Sequence, residues 1–144
     1  NYQKYVVPWL KQICNAAHKR GSKILLHSDG DLMLLFDDIL KCGVDALNPI
    51  EPTTANPDYD IFKLNEKHGD KLTFVGNISP VMLAEGSIQE IEDYSKKLLL
   101  ELGPGGGYIF SSGHSINPAV TIDRWEAVMR IREKYGNYPI KISN

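Results

Sequence analysis

The sequence predicts an α/β fold, a parallel (β/α)4 unit, from three observations. Segments with helical spacing of apolar residues alternate with short apolar runs along the 144-residue chain. Those runs are nearly unbroken by polar residues, as in parallel strands covered by helices. The loops that follow the runs carry histidines, carboxylates and amides, whereas the loops that precede them carry an ordinary charged rim.

The elements follow in order. Residues 5–20 place Val6, Trp9, Leu10, Ile13, Ala16 and Ala17 at three-and-four spacing, predicting an amphipathic helix. Pro8 belongs in its first turn, where the missing N–H costs nothing, and Gly21 suits its end. KILLH (23–27) is too short for a helix and reads as a buried strand. Leu32, Leu35, Phe36, Ile39 and Leu40 predict the next helix, closed by Gly43, and VDALN (44–48) the second strand. A shorter helix runs from Tyr59 to Lys67, then KLTFVGN (71–77) is the third strand. Ser87 and Glu90 form a capping box ahead of a helix face of Ile88, Ile91, Tyr94, Leu98 and Leu102. GYIFSS (107–112) is the fourth strand. The last helix starts near Thr121, with Ile122, Trp125, Val128, Ile131 and Tyr135 on one face, and ends at Gly136. GPGGG (103–107) leaves a helix and enters a strand, the reverse of a phosphate loop, and so reads as a flexible turn.

Composition sets the outer limits. With 42% hydrophobic and 24% charged residues the chain can build a core, as one domain over residues 1–144. A net charge of −2 without a basic run gives no footprint for nucleic acid. No apolar stretch approaches membrane-spanning length, and no signal-peptide pattern opens the sequence, so the expectation is a cytoplasmic protein with no membrane partner. Cys14 and Cys42 lie far apart within helical patterns; they read as core residues, excluding a zinc ribbon. The chain begins at Asn1, already in helix, and is expected to be a piece of a longer protein.

In parallel α/β folds, function gathers where strands end and helices begin. Four such loops stand out: His27-Ser28-Asp29-Gly30-Asp31, Asn48-Pro49-Ile50-Glu51-Pro52, Gly76-Asn77-Ile78-Ser79 and Ser111-Ser112-Gly113-His114-Ser115. They bring two histidines and two carboxylates to one face. Asp31 reads as a cap for the following helix. The other ends offer Arg20, Lys23, Lys41, Asp45 and Lys71, a solvated rim, and His18 and His68 read as structural residues at helix ends.

HSDGDLMLLFDDILKCGVDALNPIEP, KLTFVGNIS and GGGYIFSSGHSINPAVTIDRWEAVMRIREKYGNYP resemble the uroporphyrinogen decarboxylase superfamily, which also contains zinc-dependent methylcobamide:coenzyme M methyltransferases. The resemblance implies the C-terminal half of a (β/α)8 barrel, since a whole barrel needs about 250 residues. In the methyltransferase branch, an H-x-C motif, a glutamate and a late cysteine bind the metal. His27 matches the histidine, Asp29 replaces the first cysteine, Glu51 falls in the glutamate's region and His114 stands at the last cysteine. The implied metal set is therefore His27, Asp29, Glu51 and His114, with harder donors that suit zinc, iron, manganese or cobalt.

In the decarboxylase branch no metal or cofactor is used, and Gly113-His114-Ser115 resembles the G-H-G segment that contacts the tetrapyrrole. Across both branches the catalytic candidates are His27, Asp29 and His114. The substrate-binding candidates are Asn48, Asn77, Ser112, Gly113 and His114. The resemblance implies a part of a methyltransferase, with a divalent metal and a corrinoid methyl donor or a thiol, or of a carboxy-lyase acting on a porphyrinogen. A third reading is a non-catalytic half barrel that only self-associates. The expected partners are a small-molecule substrate, a corrinoid protein and further copies of the chain, and the isolated half is expected to be inactive.

Overall fold

The computed structural model describes residues 1–52 and 55–140. The chain opens with a single helical turn, α1 (Tyr2–Tyr5), and a longer helix, α2 (Val7–His18), with Pro8 in its first turn. Strand β1 (Leu25–His27) leads through a 3-10 turn at Met33–Leu35 into α3 (Phe36–Cys42), capped by Gly43. Strand β2 (Ala46–Asn48) precedes α4 (Ile61–His68), and β3 (Thr73–Ile78) precedes α5 (Pro80–Glu85) and α6 (Ile88–Leu102). Strand β4 (Tyr108–Ser112) and α7 (Ile122–Tyr135) complete the chain. The four strands lie in chain order, and every neighbouring pair is parallel. The predicted (β/α)4 unit is the fold.

Side-chain oxygens start three helices where the backbone N–H groups would otherwise lack partners. Asp60 accepts from the N–H groups of Phe62 and Lys63, and Ser79 from those of Val81 and Met82. Ser87 and Glu90 form the reciprocal capping box that their spacing predicts. The glycines of the 103–107 turn explain its composition: Gly105, Gly106 and Gly107 all have positive φ, which residues with a Cβ seldom adopt.

Register separates the two faces of the sheet. Leu26, Leu47, Phe74 and Tyr108 form one lateral row, and Leu47 and Phe74 are fully buried beneath the helices. The opposite face carries Leu25, Ala46 and Thr73 in one row and His27, Asn48, Val75 and Ile109 in the next. Among the described residues the edge-strand positions on that side are left open. Leu25 and Ile109, on the two edge strands, are 51% and 50% exposed. β1 is half-buried at Leu26 on its helix side and exposed at Leu25 and His27, and the expectation of a buried strand is corrected.

Two helix faces also differ from expectation. In α2 the buried positions are Leu10 and Cys14, with Val7 and Ala17 half-buried, while Val6, Trp9 and Ile13 face outward. Both stripes have helical spacing, and periodicity alone does not say which packs inward. In α7 Ala127 and Val128 are buried, whereas Ile122 is 78% exposed at the first turn. The short α5 has no counterpart in the sequence reading, because six residues are too few to show a period.

The lower rim is more than solvated charge. Asp45 accepts from Nε2 of His18 (2.7 Å), Nζ of Lys23 (2.8 Å) and the N–H of Ile24 (2.8 Å), fastening α2, β1 and β2 at one point. The Lys23 ammonium, the His18 ring and the Ile24 N–H hold its carboxyl far below the usual carboxylate range. His68 packs its ring on Phe36, and burial lowers its pKa. Cys14 and Cys42 are both buried and unpaired, with thiols pushed up by burial, as the core reading expects. Among the described residues no helix is long and apolar enough to cross a membrane.

A candidate metal centre at the strand ends

Parallel order brings the four loops predicted to carry chemistry to one end of the sheet. His27 is the last residue of β1, and Asp29 follows two residues later. Glu51 lies in the loop after β2 and His114 in the loop after β4. Nε2 of His27 stands 3.3 Å from Oδ1 of Asp29, and Nε2 of His114 stands 3.6 Å from the same oxygen. The same His114 nitrogen is 3.1 Å from Oε2 of Glu51. The two imidazoles meet edge to face, with centroids 5.5 Å apart. One donor atom from each of His27, Asp29 and His114 lies within 4.8 Å of the others.

The spacing can be tested against a metal. Two donors at about 2.0–2.1 Å from a tetrahedral zinc ion stand about 3.3–3.4 Å apart. The three nitrogen–carboxylate distances, 3.1, 3.3 and 3.6 Å, bracket that edge length. Two neutral imidazoles and two carboxylates carry two negative charges, matching a divalent cation. His27, Asp29 and His114 fit such an ion, and Glu51 reaches the cluster through His114. Side-chain exposure falls from 62% at Asp29 and 49% at His27 to 33% at His114 and 17% at Glu51, so the cluster opens to solvent on the β1 side.

Neighbouring groups hold the donors in place. Nδ1 of His27 is 2.7 Å from Oδ1 of Asn48, its lateral neighbour in the sheet. The Asn48 amide donates onward from Nδ2 to the carbonyl of Val75 on β3, at 2.9 Å. Gly76 makes room for that amide: a Cβ there would approach Asn48 Nδ2 to 3.3 Å. Ser112 Oγ donates to the carbonyl of His114 (2.6 Å), and a Cβ on Gly113 would come to 3.5 Å from Pro49.

Asp31 takes the structural place expected of it. Oδ1 accepts from the N–H of Met33 (2.9 Å), starting the 3-10 turn, and Oδ2 accepts from Nδ2 of Asn56 (2.9 Å).

Other candidates sit differently. Asn77 is 1% exposed; its Nδ2 donates to the carbonyl of Ile50 (2.6 Å) and its Oδ1 accepts from the Tyr94 hydroxyl (2.8 Å). It secures the loop bearing Glu51 and also borders the groove beside that loop. Asn48 likewise spends its amide inside the protein. Tyr59, which sequence reasoning treated as the start of a helix, is 3% exposed. Burial, reinforced by the charges of Asp31, Glu51 and Asp29, raises its phenol well above the usual tyrosine range. A lone tyrosine before an apolar helix gives no sequence signal for such a place. A groove of about 760 Å³, lined by Pro52, Tyr59, Asp60, Met82 and Tyr94 among others, adjoins the loop after β2 without including any of the four donors.

Comparison with known proteins identifies the family. The family model described as uroporphyrinogen decarboxylase (URO-D) matches residues 1–135. A uroporphyrinogen decarboxylase of Magnetococcus marinus is 30% identical over 122 residues, covering 85% of this chain and 32% of that protein. One from Coxiella burnetii is 28% identical over 145 residues, covering 97% of this chain and 37% of its own. Among solved structures, a methyltransferase from Methanosarcina mazei shares the fold with a TM-score of 0.71 at 22% identity, over 94% of this chain and 37% of that one. The chain therefore spans about a third of the length of these relatives.

Proposed function

The chain belongs to the uroporphyrinogen decarboxylase family, and within it we propose a methyltransferase-type role dependent on a divalent metal. The metal would be held by His27, Asp29 and His114, with Glu51 as fourth donor. The supporting observation is the convergence of donor atoms from His27, Asp29 and His114 within 4.8 Å of one another, with Glu51 touching the cluster through His114 at 3.1 Å. In this reading the four strands are the last four of a (β/α)8 barrel. A divalent metal bound there supplies Lewis acidity, binding a thiol and lowering its pKa so that the thiolate forms near neutral pH. The chain's own residues do the positioning. Ser112 fixes the backbone of His114, Asp29 sits between the two imidazoles, and the open β1 side leaves room for a small-molecule thiol or a corrinoid donor.

The competing reading, decarboxylation of a porphyrinogen, is favoured by the names of the curated relatives. It would need a cluster of cationic groups for the substrate's carboxylates, and the strand-end loops at 27–31, 48–52, 76–79 and 111–115 carry no arginine or lysine. Arg124 donates to the carbonyl of Leu83, Arg130 pairs with Glu92, and Arg20 lies beyond α2 at the other end of the sheet. Metal analysis of the protein distinguishes the two. Bound metal together with loss of methyl transfer on chelation supports the proposal, and a metal-free protein that decarboxylates a porphyrinogen overturns it.

A further inference from the structure

We infer that Asn48 is a positioning residue that fixes the tautomer of His27, leaving Nε2 unprotonated and aimed into the cluster. An amide side chain presents a donor at one end and an acceptor at the other. Nδ2 of Asn48 donates to the carbonyl of Val75, an acceptor with no alternative role. That bond sets the orientation of the amide, so Oδ1 must be the atom facing His27. An oxygen acceptor 2.7 Å from Nδ1 requires a proton on Nδ1. The neutral ring then carries its lone pair on Nε2, which faces Asp29 at 3.3 Å.

A lone pair directed at a carboxylate is unfavourable unless a cation stands between them, so the locked tautomer prepares the nitrogen for a metal. The chain of groups runs from Val75 on β3 through Asn48 on β2 to His27 on β1, and Asn48 and His27 are lateral neighbours in the sheet. Partners of this kind on the far nitrogen of a ligating histidine orient the ring, and their loss commonly costs metal affinity about 10–100-fold. The metal half of this inference rests on the reading proposed above; the tautomer half does not.

The test is long-range ¹H–¹⁵N correlation of the histidine rings in the metal-free, ¹⁵N-labelled chain, at a pH well above the histidine range. His27 is assigned from the signal lost in His27→Gln. Wild type is expected to show the Nδ1–H form at His27. Asn48→Leu, which removes the acceptor, is expected to revert toward Nε2–H and to bind Zn²⁺ at least about tenfold more weakly. Asn48→Asp, which keeps an acceptor toward His27, is expected to retain the Nδ1–H form. Nε2–H in wild type overturns the inference without any variant, as does an unchanged tautomer in a folded Asn48→Leu. A locked Nδ1–H tautomer in a wild-type chain that binds no Zn²⁺ leaves the role of Asn48 standing and counts against the metal centre.

Discussion

Oε2 of Glu51 lies 3.1 Å from Nε2 of His114, although 63 residues separate them in the chain. The contact joins the loop after β2 to the loop after β4 across the end of β3, so the cluster spans three of the four loops. Glu51→Gln preserves shape and removes the charge. It is expected to lower Zn²⁺ affinity about tenfold with little change in thermal stability, read by calorimetric titration and a melting curve. Unaltered affinity would remove Glu51 from the donor set.

Stability should depend on acid through Asp45. Its folded pKa is depressed, so its contribution is fully present above the ordinary aspartate range and disappears as pH falls toward the lower folded value. Asp45→Asn is expected to cost about 1–3 kcal/mol at neutral pH, as for hydrogen bonds to charged groups. The gap between wild type and variant should close in acid. Denaturant unfolding of both proteins across an acid series measures this, and a constant gap would show that Asp45 contributes through shape alone.

The core prediction contrasts two leucines. Leu47 is fully buried in the central row of the sheet, and Leu47→Ala is expected to cost about 2–5 kcal/mol. Leu34 is 98% exposed, and Leu34→Ala should change stability by less than about 0.5 kcal/mol. Chemical denaturation of both variants checks the pair.

These contrasts mark what was legible in the sequence. Strand order, the parallel arrangement, the capping box at Ser87 and the gathering of His27, Asp29, Glu51 and His114 all follow from local pattern and from the rule that parallel strands share one functional end. The orientation of α2 does not: Val6, Trp9 and Ile13 make as good a stripe as Val7, Leu10 and Cys14, and tertiary packing chooses between them. The amide chemistry of Asn48 and Asn77 was equally invisible, because an asparagine at a strand end looks the same whether it meets solvent or spans two strands. Tyr59 was missed for the same reason, since its surroundings come from segments distant in sequence.

Self-association is expected from the uncovered face. Leu25 and Ile109 stand on edge strands, and the outward stripe of α2 adds Trp9 at 65% exposure and Ile13 at 57%. Burying side chains of this kind is worth about 1.5–3 kcal/mol each, and unpaired strand edges recruit further strands. Sedimentation equilibrium at micromolar concentration should show a dimer that Leu25→Lys with Ile109→Lys shifts toward monomer. A well-folded wild-type monomer would contradict this.

The central claim is that His27 and His114 bind one metal ion with Asp29 and Glu51. Equilibrium dialysis against Zn²⁺, with metal content measured per chain, tests it most directly. The account predicts one bound equivalent in wild type, at least about tenfold weaker binding in His27→Ala, and loss of binding in the double variant His27→Ala/His114→Ala. Equal metal content in wild type and the folded double variant would contradict it.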